Sequence, residues 1–177
     1  MIPPGPWGND SHPASRLERL VSISVNQERA AANDRLTAIR LTMLTMRCME
    51  RWRRNVSDYD KAMILVSVVA ITAERLTRGT LDDDMKALSQ PVPLDALAPC
   101  NVSSIAAATG LNRETTRRKV KALVDEGFLV RSEQGVISFT PGHFQQDYIH
   151  DLIRSQLDSL VRTANDLIRD GTLDTDR

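Results

Sequence analysis

The chain has few of the residues that form disulfide frameworks and metal sites. Only 2 of its 177 residues are cysteine and 3 are histidine. Cys48 and Cys100 lie far apart in the sequence, and neither belongs to a C-x-x-C motif or a Cys/His cluster with metal-ligand spacing. We therefore expect no metal site and a reduced, cytoplasmic protein in which both thiols act as small buried hydrophobic groups.

The sequence also lacks the motifs of common catalytic sites. His12, His143 and His150 are scattered, and no serine lies in a G-x-S-x-G setting. Neither G-x-G-x-x-G nor G-x-x-x-x-G-K occurs, so no nucleotide-binding loop is indicated. We therefore expect a protein that is not an enzyme and that needs no cofactor.

Long apolar runs and an excess of one charge are missing as well. The apolar run at residues 62–73 is too short to span a bilayer and instead predicts a buried central helix. The first ten residues are rich in proline and glycine and lack the apolar core of a signal peptide. Basic and acidic residues number 23 each, so any affinity for DNA must come from a local basic patch.

Proline, glycine and hydrophobic periodicity divide the chain into five regions. We expect a flexible arm, a helical region, a connector, a winged helix-turn-helix region and a C-terminal dimerisation helix with its tail, at residues 1–13, 14–79, 80–100, 101–141 and 142–177. Between Ala14 and Asn55 no proline or glycine interrupts the helical pattern. This pattern predicts one very long helix, or two helices with a bend at Asn26 or at the Asn33–Asp34 pair.

Residues 103–131 have the pattern of a helix, a tight turn and a second helix that is followed at once by a strand. Ser103 or Ser104 is a candidate N-cap for the first helix. Gly110 permits the positive φ that reverses the chain, and Asn112 is a candidate N-cap for the second helix. This order of elements predicts a helix-turn-helix.

The second helix, predicted over residues 112–126, separates apolar from basic side chains. Its inward stripe consists of Thr116, Val120, Leu123 and Val124. Its other face carries Arg113, Thr115, Arg117, Arg118, Lys119 and Lys121. Glu114 is the only acid before Asp125, whereas an ordinary solvated helix interleaves acids with bases. This bias favours a polyanion such as DNA as the partner.

Two short strands are predicted after this helix. They cover residues 128–131 and 136–139 and enclose a turn at 132–135 that contains a glycine. A hairpin in this place is the wing of a winged helix-turn-helix. It carries Arg131 but also Glu133, so we expect the wing to contribute only modestly to phosphate binding.

The segment Leu-Asn-Arg-Glu-Thr-Thr-Arg-Arg-Lys-Val at 111–120 resembles the recognition helix of bacterial regulators of the cyclic-AMP receptor protein and FNR type. In that family the pattern Ser-Arg-Glu-Thr-Val-x-Arg places two arginines and a glutamate against base edges. By position, the resemblance assigns these roles to Arg113, Glu114 and Arg118. It covers about residues 101–140.

Two residues of the same segment, Thr116 and Lys119, stand where that family usually has apolar residues. The order of helices, winged helix and terminal helix also resembles the layout of MarR-type regulators. In those proteins the terminal helices of two chains interlock and present paired recognition helices.

The last predicted helix runs from His143 to about Asp170 and carries a coiled-coil-like stripe. Such a stripe needs an apolar partner, which is either the first helix of the same chain or a second subunit. We expect a homodimer whose interface is built from residues of about 15–50 and 145–170. On the last helix the interface residues are Ile149, Ile153, Leu157, Leu160, Ala164 and Leu167.

These patterns predict a mainly α protein with a small β-hairpin wing, a winged helix-turn-helix with long N- and C-terminal helices. The predicted function is a DNA-binding transcriptional regulator, a dimeric repressor that reads an inverted repeat through the helix at 112–126. The alternative is a winged-helix interaction or scaffold protein that does not bind DNA. A small apolar effector is a further possible partner, with the Met-rich stretch at 36–76 as its candidate site. The predicted DNA-binding residues are Ser104, Asn112, Arg113, Glu114, Thr115, Arg117, Arg118, Lys121 and Arg131.

Overall fold

The computed structural model of the protein is mainly helical, with two small antiparallel sheets. It describes residues 22–77, 86–90, 92–93 and 96–175. The predicted flexible arm and the first part of the predicted first helix lie outside the described residues. In chain order the elements are β1 (Ile23–Val25), α1 (Gln27–Ala32), α2 (Asp34–Val56), α3 (Tyr59–Thr72), α4 (Glu74–Thr77), α5 (Val102–Thr109), α6 (Arg113–Asp125), β2 (Leu129–Arg131), β3 (Ile137–Phe139), α7 (Asp147–Arg169) and β4 (Leu173–Thr175).

The described residues form two compact units, one from residues 22–38 and 164–175, the other from the described residues between Ile39 and Thr163. In the first unit β1 pairs antiparallel with β4. The prediction of uninterrupted helix from Ala14 to Asn55 is therefore wrong at β1. Its Ile-Ser-Val sequence has a β-branched residue on each side of a serine, and it finds a strand partner about 150 residues away, which helical periodicity does not reveal.

The predicted division into two helices at Asn33–Asp34 is present, because α1 ends at Ala32 with Asn33 as its C-cap and α2 begins at Asp34. Asn26 caps the start of α1, and its side-chain oxygen accepts a hydrogen bond from the Arg29 amide at 3.0 Å. The side chain of Asn33 instead donates to the carbonyl oxygen of Asp170 at 3.2 Å. Asn26 thus caps the start of a helix, and Asn33, at the end of α1, bonds a carbonyl group outside that helix.

The core of the second unit is built around α3. This helix is apolar on nearly every face, and Ala62, Ile64, Leu65 and Val68 are almost completely buried. Helices α5 and α6 and the β2–β3 hairpin pack around it. The predicted buried central helix is confirmed, and it ends at Thr72. The other buried core residues are Val56, Cys100, Ile105, Val120, Leu123, Leu129 and Ile137.

Helix α5 begins at a capping box formed by Asn101 and Ser104. The Asn101 side chain accepts hydrogen bonds from the amides of Ser103 and Ser104 at 2.9 and 3.0 Å, and the Ser104 hydroxyl accepts one from the Asn101 amide at 2.9 Å. The prediction of a serine N-cap is therefore wrong. The asparagine carbonyl satisfies two free amides of the first turn, and Ser104 completes the box from inside the helix.

The turn into α6 and the hairpin after it follow the predicted order. Gly110 ends α5 with φ of 72°, and the side chain of Asn112 accepts a hydrogen bond from the Thr115 amide at 2.7 Å. Strands β2 and β3 pair antiparallel. The Ile137 amide of β3 also donates to the carbonyl oxygen of Cys100 at 2.8 Å, which fixes the hairpin to the segment that precedes α5.

Helix α7 divides its apolar residues between two faces. Ile149 and Leu167 are buried within their own chain, and Ala164 is half-buried. The first two are therefore unavailable for an interface, so the predicted dimer interface is wrong at these positions. Ile153, Leu157 and Leu160 remain exposed. The apolar stripe of α7 is broad enough to cover two adjacent faces of the helix, and the heptad positions include residues of both. One face packs within the chain, and the other stays exposed.

His143 occupies a buried aromatic site next to the start of α7. The centroid of its ring lies 4.9 Å from that of Phe139 and 5.8 Å from that of Phe128. The hydroxyl oxygen of Tyr148 lies 2.9 Å from Nε2 of His143. Burial lowers the pKa of His143 below its ordinary value, because the imidazolium ion would lose its hydration in this site.

The burial of His143 predicts a loss of stability in mild acid. The unfolded chain takes up a proton near the ordinary pKa of 6.5, whereas the folded chain resists it, so the free energy of unfolding should fall as the pH drops below 6.5 and through the lowered pKa. Urea unfolding measured between pH 7.5 and about 5 checks this. His143→Phe should flatten the decline, whereas His150→Gln, which changes an exposed histidine, should not. An equal decline in the His143→Phe protein would contradict this assignment.

Candidate nucleic-acid interface

Helix α6 is amphipathic in the way the sequence predicted. Thr116, Val120 and Leu123 are buried against the core, and Val124 is half-buried. The buried hydroxyl of Thr116 donates a hydrogen bond to the carbonyl oxygen of Asn112 at 3.0 Å, so this polar group is satisfied. The inward stripe therefore fixes which side of α6 faces solvent.

The solvent side of α6 carries four exposed cations, Arg113, Arg117, Arg118 and Lys121. Arg118 and Lys121 share one face with Glu114, at positions i+4 and i+7 from it. Arg113 and Arg118 are both exposed but lie roughly 140° apart around the helix axis, since they are five residues apart. The four cations therefore cover a broad sector of the helix surface.

Glu114 and Arg117 form a bidentate pair on this surface. Nε and Nη2 of Arg117 donate hydrogen bonds to the Glu114 carboxylate at 2.9 and 2.6 Å. The guanidinium lowers the pKa of Glu114, and the carboxylate raises the pKa of Arg117. Both side chains are largely exposed, so the pair orients Arg117 and adds little to stability.

The two lysines of α6 lie in different surroundings. Lys121 has a 70% exposed side chain and bonds Asp125 at 2.6 Å. The side chain of Lys119 is only 20% exposed, its ammonium contacts the Asp58 carboxylate, and it lies 3.9 Å from Oδ2 of Asp60. The placement of Lys119 on the outer face was therefore wrong. Its acidic partners lie about 60 residues earlier in the chain, where the helical period of α6 cannot indicate them.

The remaining predicted DNA-binding residues occupy mixed positions. The hydroxyl of Ser104 is engaged in the capping box of α5, and Thr115 is half-buried in the first turn of α6. Asn112 is exposed and uses its side-chain oxygen as the cap of α6. Arg131 is exposed on β2, with its guanidinium next to Gly135 at the hairpin turn. The structure thus gathers five of the nine residues, Arg113, Glu114, Arg117, Arg118 and Lys121, as outward side chains on α6.

An apolar cavity of about 540 Å³ lies beside the hairpin. The end of α3, the segment before α5 and both hairpin strands line it, through Thr72, Pro99, Val130 and Val136 among others. The described lining of this cavity contains none of the methionines of the predicted effector site, and Met43 and Met46 are exposed on α2. The effector itself stays a prediction.

Comparisons with protein-family models, curated proteins and solved structures give no match for this chain. None of the helices in the described part of the chain combines the length and the hydropathy that a bilayer-spanning helix needs. Within residues 22–77, 86–90, 92–93 and 96–175 there is also no group of three or more His, Cys, Asp and Glu side chains placed to hold a metal ion. The chemistry of α6 is therefore the main indication of function.

The contrast between the two lysines predicts different effects on stability. Lys119→Met should lower the free energy of unfolding by about 1–2 kcal/mol, because it leaves the partly buried Asp58 carboxylate without its partner. Lys121→Met removes an exposed i, i+4 pair and should cost at most about 0.5 kcal/mol. Urea unfolding at pH 7 and a fixed protein concentration measures both values. Equal losses would mean that the Lys119 pair behaves as an ordinary surface pair.

Proposed function

We propose that the protein is a DNA-binding transcriptional regulator, a winged helix-turn-helix repressor in which α6 is the recognition helix. The observation that carries this proposal is the set of four exposed cations on the second helix of a helix, turn, helix and hairpin arrangement. Duplex DNA offers a dense row of phosphates, so a local cluster of cations binds it even when the net charge of the protein is zero.

The proposal gives the outward residues of α6 separate tasks. Arg113 and Arg118 read base edges, most simply guanine, and Arg117 and Lys121 bind phosphates. Each of the two reading arginines adds on the order of 1 to 3 kcal/mol of discrimination between bases. The Glu114 carboxylate holds the Arg117 guanidinium in place before DNA binds and limits the binding of random sequences through its charge.

The competing function is a winged-helix protein that binds another protein through the same face. This competitor accounts for the fold but not for the scarcity of acids on the outer face of α6, where Glu114 and Asp125 are set against four cations. We therefore prefer DNA as the partner. Salt dependence separates the two functions, because phosphate contacts release counterions in a fixed proportion.

We also propose that the partner of the terminal helices is a second copy of the chain. Ile39, Met43 and Met46 on α2 lie at positions i, i+4 and i+7, and all three are exposed. Ile153, Leu157 and Leu160 on α7 repeat this spacing, and Leu157 is 56% exposed. Two such stripes together present an apolar surface on the order of several hundred Å², which monomers seldom leave uncovered.

A homodimer fits these stripes because both belong to one pair of neighbouring helices. Arg51 of α2 donates a hydrogen bond to the Ser159 hydroxyl of α7 at 2.9 Å, which ties the helices together within the second unit. A second copy brings an equivalent pair, and a two-fold arrangement buries both kinds of stripe in a four-helix contact. Such a dimer carries two α6 helices and therefore prefers an inverted repeat in DNA.

DNA binding by this mechanism should depend steeply on salt. With about four phosphate contacts, the affinity for a random duplex should fall roughly 100-fold between about 50 and 200 mM salt. Fluorescence anisotropy with a labelled duplex measures it. Arg162→Ala removes an exposed cation from α7 and should change nothing. Arg118→Ala should weaken binding to a duplex selected by the wild-type protein more than binding to a random duplex. A wild-type protein without salt-dependent binding would rule out the proposal.

The dimer should depend on the exposed stripe of α7. Leu160→Asp places a charge where the second copy packs, and desolvation of that charge should yield a monomer in sedimentation experiments. Leu41→Asp is the matched control, because Leu41 is exposed to a similar degree but lies on the other side of α2 from Ile39 and Met43. The interface is wrong if the Leu160→Asp protein sediments as the same dimer, or if wild-type protein is monomeric at micromolar concentrations.

A further inference from the structure

Lys119 is the one cation between Arg113 and Lys121 of α6 whose side chain turns toward the protein. It lies three residues after the buried Thr116 and four before the buried Leu123, so it borders the packed side of the helix. Its ammonium meets the carboxylate of Asp58, at the residue that precedes α3. The Lys119 ammonium therefore does not lie on the exposed face of α6 that carries the other cations.

Asp58 is itself held in place by the start of α3. Its Oδ1 accepts hydrogen bonds from the amides of Asp60 and Lys61 at 2.8 and 3.3 Å, and its Oδ2 contacts Lys119. The hydrogen bond from Lys119 lowers the pKa of Asp58, with smaller contributions from the two amides, so the carboxylate stays charged at neutral pH. The partner of Lys119 is thus anchored to the backbone of α3 and is not a mobile surface acid.

A second ion pair joins the same two helices. Nζ of Lys61, in the first turn of α3, lies 2.5 Å from Oε1 of Glu126. The Lys61 side chain is only 15% exposed, and Glu126 is the C-cap residue of α6. Glu126 lies seven residues after Lys119, which corresponds to about two turns, or roughly 10 Å, along the helix. The beginning of α3 therefore holds α6 at two separated points.

We infer that the pairs Asp58–Lys119 and Lys61–Glu126 set the rotation of α6 about its axis, and that Lys119 and Glu126 are positioning residues for sequence reading. This inference rests on the proposed binding of DNA through α6. It assigns no contact with DNA to Lys119. Instead, Lys119 acts through the orientation of the arginines that project from the same helix.

The physical reason is the difference between apolar and charged contacts. The apolar contacts of Thr116, Val120 and Leu123 with the core favour burial but have little directionality. Charge-assisted hydrogen bonds to an anchored carboxylate are directional and fix the setting of the helix. Side chains that read base edges need placement to about 0.5 Å and 10–20°, which a small rotation of α6 would exceed.

The test compares a selected duplex with a random one. Wild-type protein first enriches its preferred duplex from a random pool, and both duplexes are then titrated at several salt concentrations. Lys119→Met should weaken binding to the selected duplex on the order of tenfold, with random binding and the salt slope unchanged. Lys121→Met, the matched control, should weaken binding to both duplexes and reduce the salt slope by about two, one for each protomer of the proposed dimer.

Rescue by exchanged charges separates positioning from general damage. Glu126→Lys alone places two cations together and should lower discrimination between the two duplexes. The double variant Lys61→Glu with Glu126→Lys restores an ion pair in the same place and should recover most of the discrimination. Lys119→Arg, which keeps the charge next to Asp58, should also retain most of it.

The outcomes are distinct. The inference fails if Lys119→Met binds the selected duplex as tightly as wild type does, or if it reduces the salt slope as Lys121→Met does. If Lys119→Met does not fold, the exchange at Lys61 and Glu126 decides, and a double variant that stays as poor as Glu126→Lys overturns the inference. A wild-type protein that binds no duplex overturns the proposed function as well, whereas normal wild-type binding with unaffected variants overturns only the positioning role.

Discussion

The burial of α3 is the constraint on which the rest of the second unit depends. Its run from Ala62 to Val68 is apolar on nearly every side, so most of the surface of this helix must be shielded from water. Helices α5 and α6 and the hairpin supply the surrounding apolar faces. Because α6 must direct Thr116, Val120 and Leu123 toward this core, its arginines are left on the outside. The candidate interface is therefore a consequence of core packing.

The hydrogen bonds at the element ends determine where each of these helices begins. Asn101, Asn112 and Asp58 each use a side-chain oxygen to satisfy amides at a helix start. Asp58 has a second role, because its other oxygen pairs with Lys119 of α6. One carboxylate thus joins the start of the central helix to the helix that carries the exposed cations.

The long helices α2 and α7 contribute little to the compact core and instead expose large apolar side chains. The core cluster includes no residue of α7, and from α2 it includes only Val56 at its end. Their exposed residues, such as Met43 and Leu157, are regularly spaced and have the size of core side chains. A packed interior and an uncovered apolar stripe therefore occur in the same chain, and the proposed second copy would cover the stripe.

The sequence by itself determined the elements whose signals are local. Gly110 and Asn112 marked the turn before α6, and the 3.6-residue period separated its buried stripe from its exposed arginines. The same period identified α7, and an uninterrupted apolar run identified α3. The caps were predicted less well, since Asn101 and not a nearby serine starts α5, and both residue types satisfy helix amides.

Only the tertiary structure decided the contacts between residues distant in the sequence. It paired β1 with β4, placed Lys119 against Asp58, and divided the heptad stripe of α7 into buried and exposed residues. These outcomes depend on which surfaces meet after the chain has folded, and a local pattern of hydrophobic and charged residues is the same whichever partner it meets. The periodicity therefore showed that Lys119 and Ile149 lie on particular helix faces, and the packing of neighbouring elements determined what those faces contact.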